Sequence, residues 1–206
     1  MLMRRLARSV AAGILIAIGG CVFLSCESRY VGAVLFSVAL LGICCKGYAL
    51  FTGKVGYLVA DHSPDALMDL ALALLGNALA TFSLGWAVSR TMPNLRQAAC
   101  AICEAKLTQL PASTLLRAAL CGVLMYLAVS IYREKATIAG IVFCVPVFIL
   151  SGFEHSIANM FYFAAAGGLS LRVLGYLCLV ILGNALGGCA LPLLDKLGTE
   201  KETSHV

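Results

Sequence analysis

Long apolar runs follow one another along the whole chain, separated by short polar knots. Residues 9–26 form the first run, preceded by Arg4, Arg5 and Arg8 and closed by Glu27-Ser28-Arg29. A second begins at Val31 and reaches about Phe51, is interrupted at Thr52-Gly53-Lys54, and resumes over residues 55–60. The pattern then predicts a helix start at Ser63-Pro64, with Ser63 as the cap and Pro64 at the first helical position. A third run covers residues 67–88. Residues 90–110 are mixed and amphipathic, punctuated by Pro93 and Pro111. Residues 115–132 make the fourth run, ended by Arg133-Glu134-Lys135. The fifth, residues 136–150, meets the polar stretch Ser151-Gly152-Phe153-Glu154-His155-Ser156-Ile157-Ala158-Asn159 before continuing to Ala166. After a Gly167-Gly168 turn, residues 173–194 form the sixth, and residues 196–206 a polar tail expected to fray.

Each intact run has about the 20 residues that a bilayer core requires. The expectation is an all-α integral membrane protein: one transmembrane domain over residues 1–206, with six transmembrane helices of which the second and fifth are broken. The N-terminal stretch resembles a cleavable leader, basic and then apolar. Its apolar part is long enough to span, and more apolar sequence follows Arg29, so it is read as a retained span.

Composition sharpens this reading. The chain is 61% hydrophobic and 12% charged, against about 45–50% and about 25% in soluble domains. The net charge of +5 is dispersed, without a basic run that would suggest nucleic acid. The positive-inside rule puts Arg4, Arg5 and Arg8 in the cytoplasm of a plasma or inner membrane, and an even number of spans returns the C-terminus, with Lys196 and Lys201, to that side. Arg133 and Lys135 agree with this orientation; Arg90, Arg96 and Lys106 do not. Eight of the ten cysteines fall in apolar runs, where a free thiol behaves as a small hydrophobe. Cys100 and Cys103 form one CxxC, which without a second pair suits one face of a short helix better than a metal. No metal or cofactor is expected.

The pentapeptide Leu75-Gly76-Asn77-Ala78-Leu79 recurs as Leu182-Gly183-Asn184-Ala185-Leu186. One copy lies in the third run and one in the sixth, and a broken run precedes each. Three spans and three spans, with matching interruptions, predict an inverted repeat with halves at about residues 1–90 and 112–195. Paired broken helices in the two halves of a membrane protein point to a transport site near the midplane.

The chemistry concentrates at the breaks. A carboxylate and an imidazole at membrane depth mark a functional site by default. Thr52 brings a hydroxyl and His155 a ring that donates when neutral and titrates near physiological pH. Facing each other, the two suit a small monovalent anion or its conjugate acid. Phe36, Leu40, Leu50, Phe51 and Phe148 would form dry constrictions, which a bare ion crosses only at a large desolvation cost. Proton uptake on the way would remove most of that cost. Lys46, Lys54 and Lys106 would concentrate anions at the mouths. Glu154 is read as tying down the broken backbone. Asn77, Asn159 and Asn184 are read as polar groups near the path, the first and last also satisfying backbone freed by the breaks. Two other classes fit the residues less well. An intramembrane hydrolase using Glu154 and His155 lacks further ligands, since His62 and His205 fall in a loop and the tail. A neutral-solute channel of the water/glycerol type lacks that type's Asn-Pro-Ala pair.

On Gly152-Phe153-Glu154-His155-Ser156-Ile157-Ala158-Asn159-Met160-Phe161, on Leu50-Phe51-Thr52-Gly53 and on both Leu-Gly-Asn-Ala-Leu segments, the chain resembles the formate/nitrite transporter family. The resemblance implies an aquaporin-like six-helix fold, a homopentamer with one pore per protomer, and a central histidine, His155, facing a threonine, Thr52. It also implies a vestibule lysine at Lys106 and constrictions at Phe36, Leu40, Leu50, Phe51 and Phe148. Two positions depart from the usual pattern: Ala49 stands where many members carry an acidic residue, and Gly122 where many carry an asparagine. The compact length and Leu50 to Leu58 are similar to the branch that includes hydrosulfide channels. Permeant ions implied are hydrosulfide, formate and nitrite.

Overall fold

A computed structural model describes residues 2–203, with side chains through residue 198. It is helical throughout, in the order α1 (Leu2–Ser25), α2 (Arg29–Lys46), α3 (Phe51–Lys54) running into a 3-10 turn (Val55–Val59), α4 (Pro64–Thr91), α5 (Pro93–Leu107), α6 (Pro111–Lys135), α7 (Ala139–Leu150), α8 (Ser156–Ala166) and α9 (Leu171–Thr203). Among the described residues, five helices are long and apolar enough to cross a membrane: α1, α2, α4, α6 and the Leu171–Gly198 part of α9. The apolar α7 and α8 are each too short to span alone.

Helix starts follow the expected chemistry. Ser63 Oγ accepts from the Ala66 amide at 3.3 Å, with Pro64 at the first turn of α4. Ser28 caps α2 through the Val31 amide. The amphipathic stretch is the separate helix α5, with Cys103 buried and Cys100 Sγ donating to the Ala166 carbonyl; both thiols are free. Two expectations change. The interruption of the second run lies at residues 47–50, not at Thr52-Gly53-Lys54: α2 stops at Gly47, whose φ of 62° is left-handed, and Thr52 already belongs to α3. The polar tail continues α9 to Thr203 instead of fraying after Leu194, because the helix absorbs Pro192 and meets no further proline. The Lys201 and His205 side chains lie outside the described residues.

α1 packs on α4 and α2, and α6 packs on α9 and α7. The segments after the breaks cross over: α8 packs on α4, and α3 with its 3-10 turn packs on α9. Small residues bring the long helices together, as membrane interfaces require. A Cβ at Gly76 would meet Ser9 Cβ at 2.5 Å, and one at Gly183 would meet Ala118 Cβ at 2.5 Å. This explains four of the five letters of the repeated pentapeptide. Its leucines are exposed on the outside, its glycine admits the neighbouring helix, and its asparagine is buried and aimed at that helix. At Gly122 a Cβ would lie 2.3 Å from the Asn184 carbonyl oxygen, so α6 has no room for a larger side chain there.

Candidate functional site: two helix breaks between two cavities

Both breaks open in the same way. Gly47 donates to the Cys44 carbonyl and Tyr48 to that of Ile43, at 3.1 and 2.9 Å. Gly152 donates to Ile149 and Phe153 to Phe148, at 3.2 and 2.9 Å. This is the glycine-terminated helix end in which a left-handed residue turns the chain and uses up the last carbonyls; Gly152 has φ 68°. Four residues after each glycine a new helix starts. Leu50 (φ −102°, ψ 127°) and His155 (φ −103°, ψ 116°) occupy the cap position.

An asparagine then closes each break. Asn77 Oδ1 accepts from the Phe51 amide at 2.9 Å, and its Nδ2 donates to the carbonyls of Ser9 and Ala49 at 2.7 and 2.9 Å. Asn184 Oδ1 accepts from the Ser156 amide at 2.8 Å, and its Nδ2 donates to Ala118 and Glu154, each at 2.8 Å. An arginine completes the frame. The Ala49 amide donates to the Arg8 carbonyl at 3.3 Å while the Arg8 guanidinium donates to the Gly47 carbonyl. The Glu154 amide donates to the Arg117 carbonyl at 3.3 Å while Arg117 Nη1 donates to the Gly152 carbonyl at 3.1 Å. Backbone groups released by a broken helix cannot stay unpaired at membrane depth, and one asparagine and one arginine per break satisfy them.

What the frame presents differs. His155 and Thr52 meet: His155 Nε2 and Thr52 Oγ1 are 2.9 Å apart, with both side chains buried. His155 Nδ1 accepts the Ala158 amide hydrogen at 3.2 Å, capping α8. The neutral ring therefore carries its proton on Nε2 and donates it to Thr52. The ring also stacks on Phe148 with centroids 5.6 Å apart. Glu154, 1% exposed, accepts from Lys106 Nζ, from Gln109 Nε2 at 2.8 Å and from Asn159 Nδ2 at 2.9 Å. The Lys106 charge is thus compensated by a buried carboxylate.

Two cavities approach this centre from opposite ends of α1. One, of about 490 Å³, is lined by Arg5 and Arg8 from the start of α1, by Lys54, Asp69 and Arg133, and by Leu40 and Leu50 at its inner end. The other, of about 610 Å³, is lined by Phe23 and Leu24 from the end of α1, by Lys106, Gln109, Arg117, Glu154 and Asn159, and by Phe36, Phe148 and His155. Phe36 and Phe148 meet edge to face, 6.2 Å between centroids. Leu40, Leu50, Phe36 and Phe148 are each at most 4% exposed.

The structure thus brings His155, Thr52, Lys106, Asn159 and Glu154 together. It distributes four of the five apolar candidates between the cavity ends; Phe51 is buried and lines neither. Asn77 and Asn184 are buried in the frame and line neither cavity. Lys46 is exposed and also lines neither, and Lys54 pairs with Asp69. Sequence reasoning missed Gln109, and Arg8 and Arg117 as straps. It also missed the true partner of Gly152-Phe153-Glu154-His155, which is Gly47-Tyr48-Ala49-Leu50; the shared glycine and aromatic residue could have revealed it. Among the described residues no group of His, Cys, Asp and Glu could hold a metal ion.

Apolar helices with paired internal breaks, and two cavities meeting at a dry centre, define a multi-pass membrane transport protein. The formate/nitrite transporter family model matches residues 2–194, and the chain belongs to that family. It is 29% identical over 185 residues to the uncharacterized transporter YwcJ of Bacillus subtilis (strain 168), with 78% of this chain and 72% of that protein covered. A solved pentameric formate channel with formate bound shares the fold at TM-score 0.82 and 22% identity, covering 97% of each chain. A solved FNT family ion channel matches at TM-score 0.80 and 25% identity, covering 96% of this chain and 90% of that one. Family and neighbours are transporters and channels, so the hydrolase reading falls away.

Proposed function

We propose that this protein forms a pore for small monovalent anions or their conjugate weak acids, with hydrosulfide, formate and nitrite as candidates. In this reading the two halves are an inverted repeat, and α7 and α8 in series complete a sixth crossing. Five copies assemble, each with its own pore, as in the pentameric formate channel that shares the fold. The membrane is the plasma or inner membrane, and the basic start of α1 puts the N-terminus, and with it the C-terminus, in the cytoplasm.

The observation that carries the proposal is the buried 2.9 Å contact between His155 and Thr52, between two cavities and behind apolar residues on both sides. An ion leaving either cavity must shed water to pass Leu40 and Leu50, or Phe36 and Phe148, and a neutral acid does so at far lower cost. His155 is held from both ring nitrogens. Protonating Nδ1 would break the cap on α8, so the ring acts as a fixed neutral donor. The proton that neutralises the permeating anion then comes from water in the cavities. Asn159 and Glu154 hold Lys106 near the path, while Asn77 and Asn184 keep the two breaks in register.

Flux through proteoliposomes tests this, with hydrosulfide, formate, nitrite and chloride compared at several pH values. Uptake of the weak-acid anions should rise as pH falls, and chloride should lag. His155→Ala and Thr52→Ala should each alter the rate, with the rise toward low pH retained because the proton comes from water. Unchanged permeation in both variants overturns the site. Glycerol swelling faster than weak-acid uptake would favour the neutral-solute channel.

A further inference from the structure

The two cavities differ in charge far more than the frame around them does. The cavity near the end of α1 is lined by Arg29, Lys106 and Arg117 against Glu27 and Glu154. The cavity at the start of α1 is lined by Arg5, Arg8, Lys54 and Arg133 against the single carboxylate of Asp69. Asp69 is engaged by Lys54 and, at 3.4 Å, by Arg5, which also holds Asp65 with two hydrogen bonds of 2.7 and 2.8 Å. Arg8 and Arg133 are left over. Arg8 donates to the Gly47 carbonyl and has no carboxylate partner among the described residues; its Nη1 is unengaged. Arg133 lies over the Tyr57 ring at 4.2 Å and makes no ion pair among the described residues. Both are exposed.

A cavity of about 490 Å³ with two uncompensated guanidinium groups is much larger than one monovalent ion requires. A guanidinium group can hold two oxygens of a phosphate-type anion at once through parallel N–H bonds. The inner end of the cavity is Leu40 and Leu50, 1% and 2% exposed. The charging cost of an ion rises with the square of its charge, so a divalent anion faces about four times the penalty of a monovalent one there. We propose that the cavity at the start of α1 is a binding site for an oligovalent oxyanion of the phosphate class, held by Arg8 and Arg133. It enters from that side only, does not pass, and competes with the permeant ion. The blocking part of this inference rests on the pore reading above; the binding part does not.

Two measurements separate them. Calorimetric titration of the whole chain in phospholipid-free detergent, with pyrophosphate, phosphate and chloride at matched ionic strength, reads binding. Pyrophosphate should bind most tightly and chloride least. Arg133→Gln should weaken pyrophosphate by about tenfold, the value of one lost charge-assisted contact. Arg133→Gln also removes the contact with the Tyr57 ring, so its binding is compared with the parent's only after its melting temperature is shown to match, and with Tyr57→Phe, which should bind pyrophosphate as the parent does. Arg8→Gln removes a strap as well, so it is read only where its melting temperature equals the parent's. Equal affinity in the parent and in Arg133→Gln, or chloride binding as well as pyrophosphate, overturns the site. Formate flux with pyrophosphate on one side at a time reads the block. It should appear only from the side bearing the N-terminus and weaken in Arg133→Gln; block of equal strength from both sides overturns it. Repeating the flux in phosphatidylcholine and phosphatidylglycerol vesicles identifies the source of the phosphate. A half-blocking concentration that rises about tenfold in phosphatidylglycerol means that the headgroup occupies the same site. An unchanged value means that the free anion does. If no variant or lipid supports flux while Arg133-dependent binding persists, the pore reading has failed and this one stands.

Discussion

At the first break the frame presents Ala49 and Leu50; at the same two stations of the second it presents Glu154 and His155. The glycine, the aromatic residue, the strapping arginine and the closing asparagine are shared. Each asparagine makes three hydrogen bonds of 2.7 to 2.9 Å. The scaffold is therefore duplicated and the chemistry is not. Ionisable side chains sit at one break only, with Lys106 and Gln109 from α5 and its following turn to neutralise and orient them. The other break offers Leu50 to a cavity wall and Thr52, two residues further on, to the imidazole. Thr52 and His155 are thus not counterparts. His155 caps its helix, whereas Thr52 lies inside the first turn of its own.

The likeness of the frames is open to direct attack. The largest effect is expected at the asparagines. Asn77→Leu and Asn184→Leu each leave one buried amide and one buried carbonyl of the break without a partner, at about 1–3 kcal/mol apiece, while the Ser9 and Ala118 carbonyls keep their helical bonds. Both should collapse thermal stability in detergent by comparable amounts; a mild result for one alone would mean that the breaks are held differently. Next comes the unlike chemistry. Glu154→Gln strands the Lys106 ammonium and should cost about 3–5 kcal/mol, as breaking a buried ion pair does. Adding Lys106→Met should recover most of the loss in the same melts. Ala49→Gln, at the corresponding station, should stay within about 0.5 kcal/mol. A smaller effect than the loss of Glu154 tests the turns. Gly47→Ala and Gly152→Ala should each cost about 1–2 kcal/mol for a left-handed backbone. The two should cost alike, since a Cβ at either position meets only the guanidinium end of its strapping arginine, at 2.8 Å from Arg8 and 3.0 Å from Arg117.

Much of this was legible beforehand, for physical reasons. Apolar run length reports membrane crossing, so α1, α4, α6 and α9 were readable. A polar cluster at membrane depth is rare enough that residues 151–159 stood out as a break. The first break was misplaced because residues 47–50 contain nothing ionised. Gly47-Tyr48-Ala49-Leu50 looks like ordinary apolar helix, and the eye passes to the polar Thr52-Gly53-Lys54. The repeated Leu-Gly-Asn-Ala-Leu was visible, but its use of glycine for close approach and asparagine for carbonyls on a neighbouring helix needs three dimensions. Arg8 read only as a topology signal, because its bond to Gly47 spans 39 positions. The Lys106 pairing with Glu154, 48 positions away, was hidden for the same reason.

The crossing-over of α8 onto α4, and of α3 onto α9, bears on how the molecule is made. When the ribosome has released the first half, the segment Phe51–Val59 is held only by α4, through the Asn77 bond to the Phe51 amide, because most of the packing of its 3-10 turn is against α9, which is made later. The nascent chain must hold a short, half-inserted loop in waiting until Leu171–Thr203 arrives. A chain halted before residue 171 should therefore leave that loop open to protease in microsomes, while the full-length product protects it.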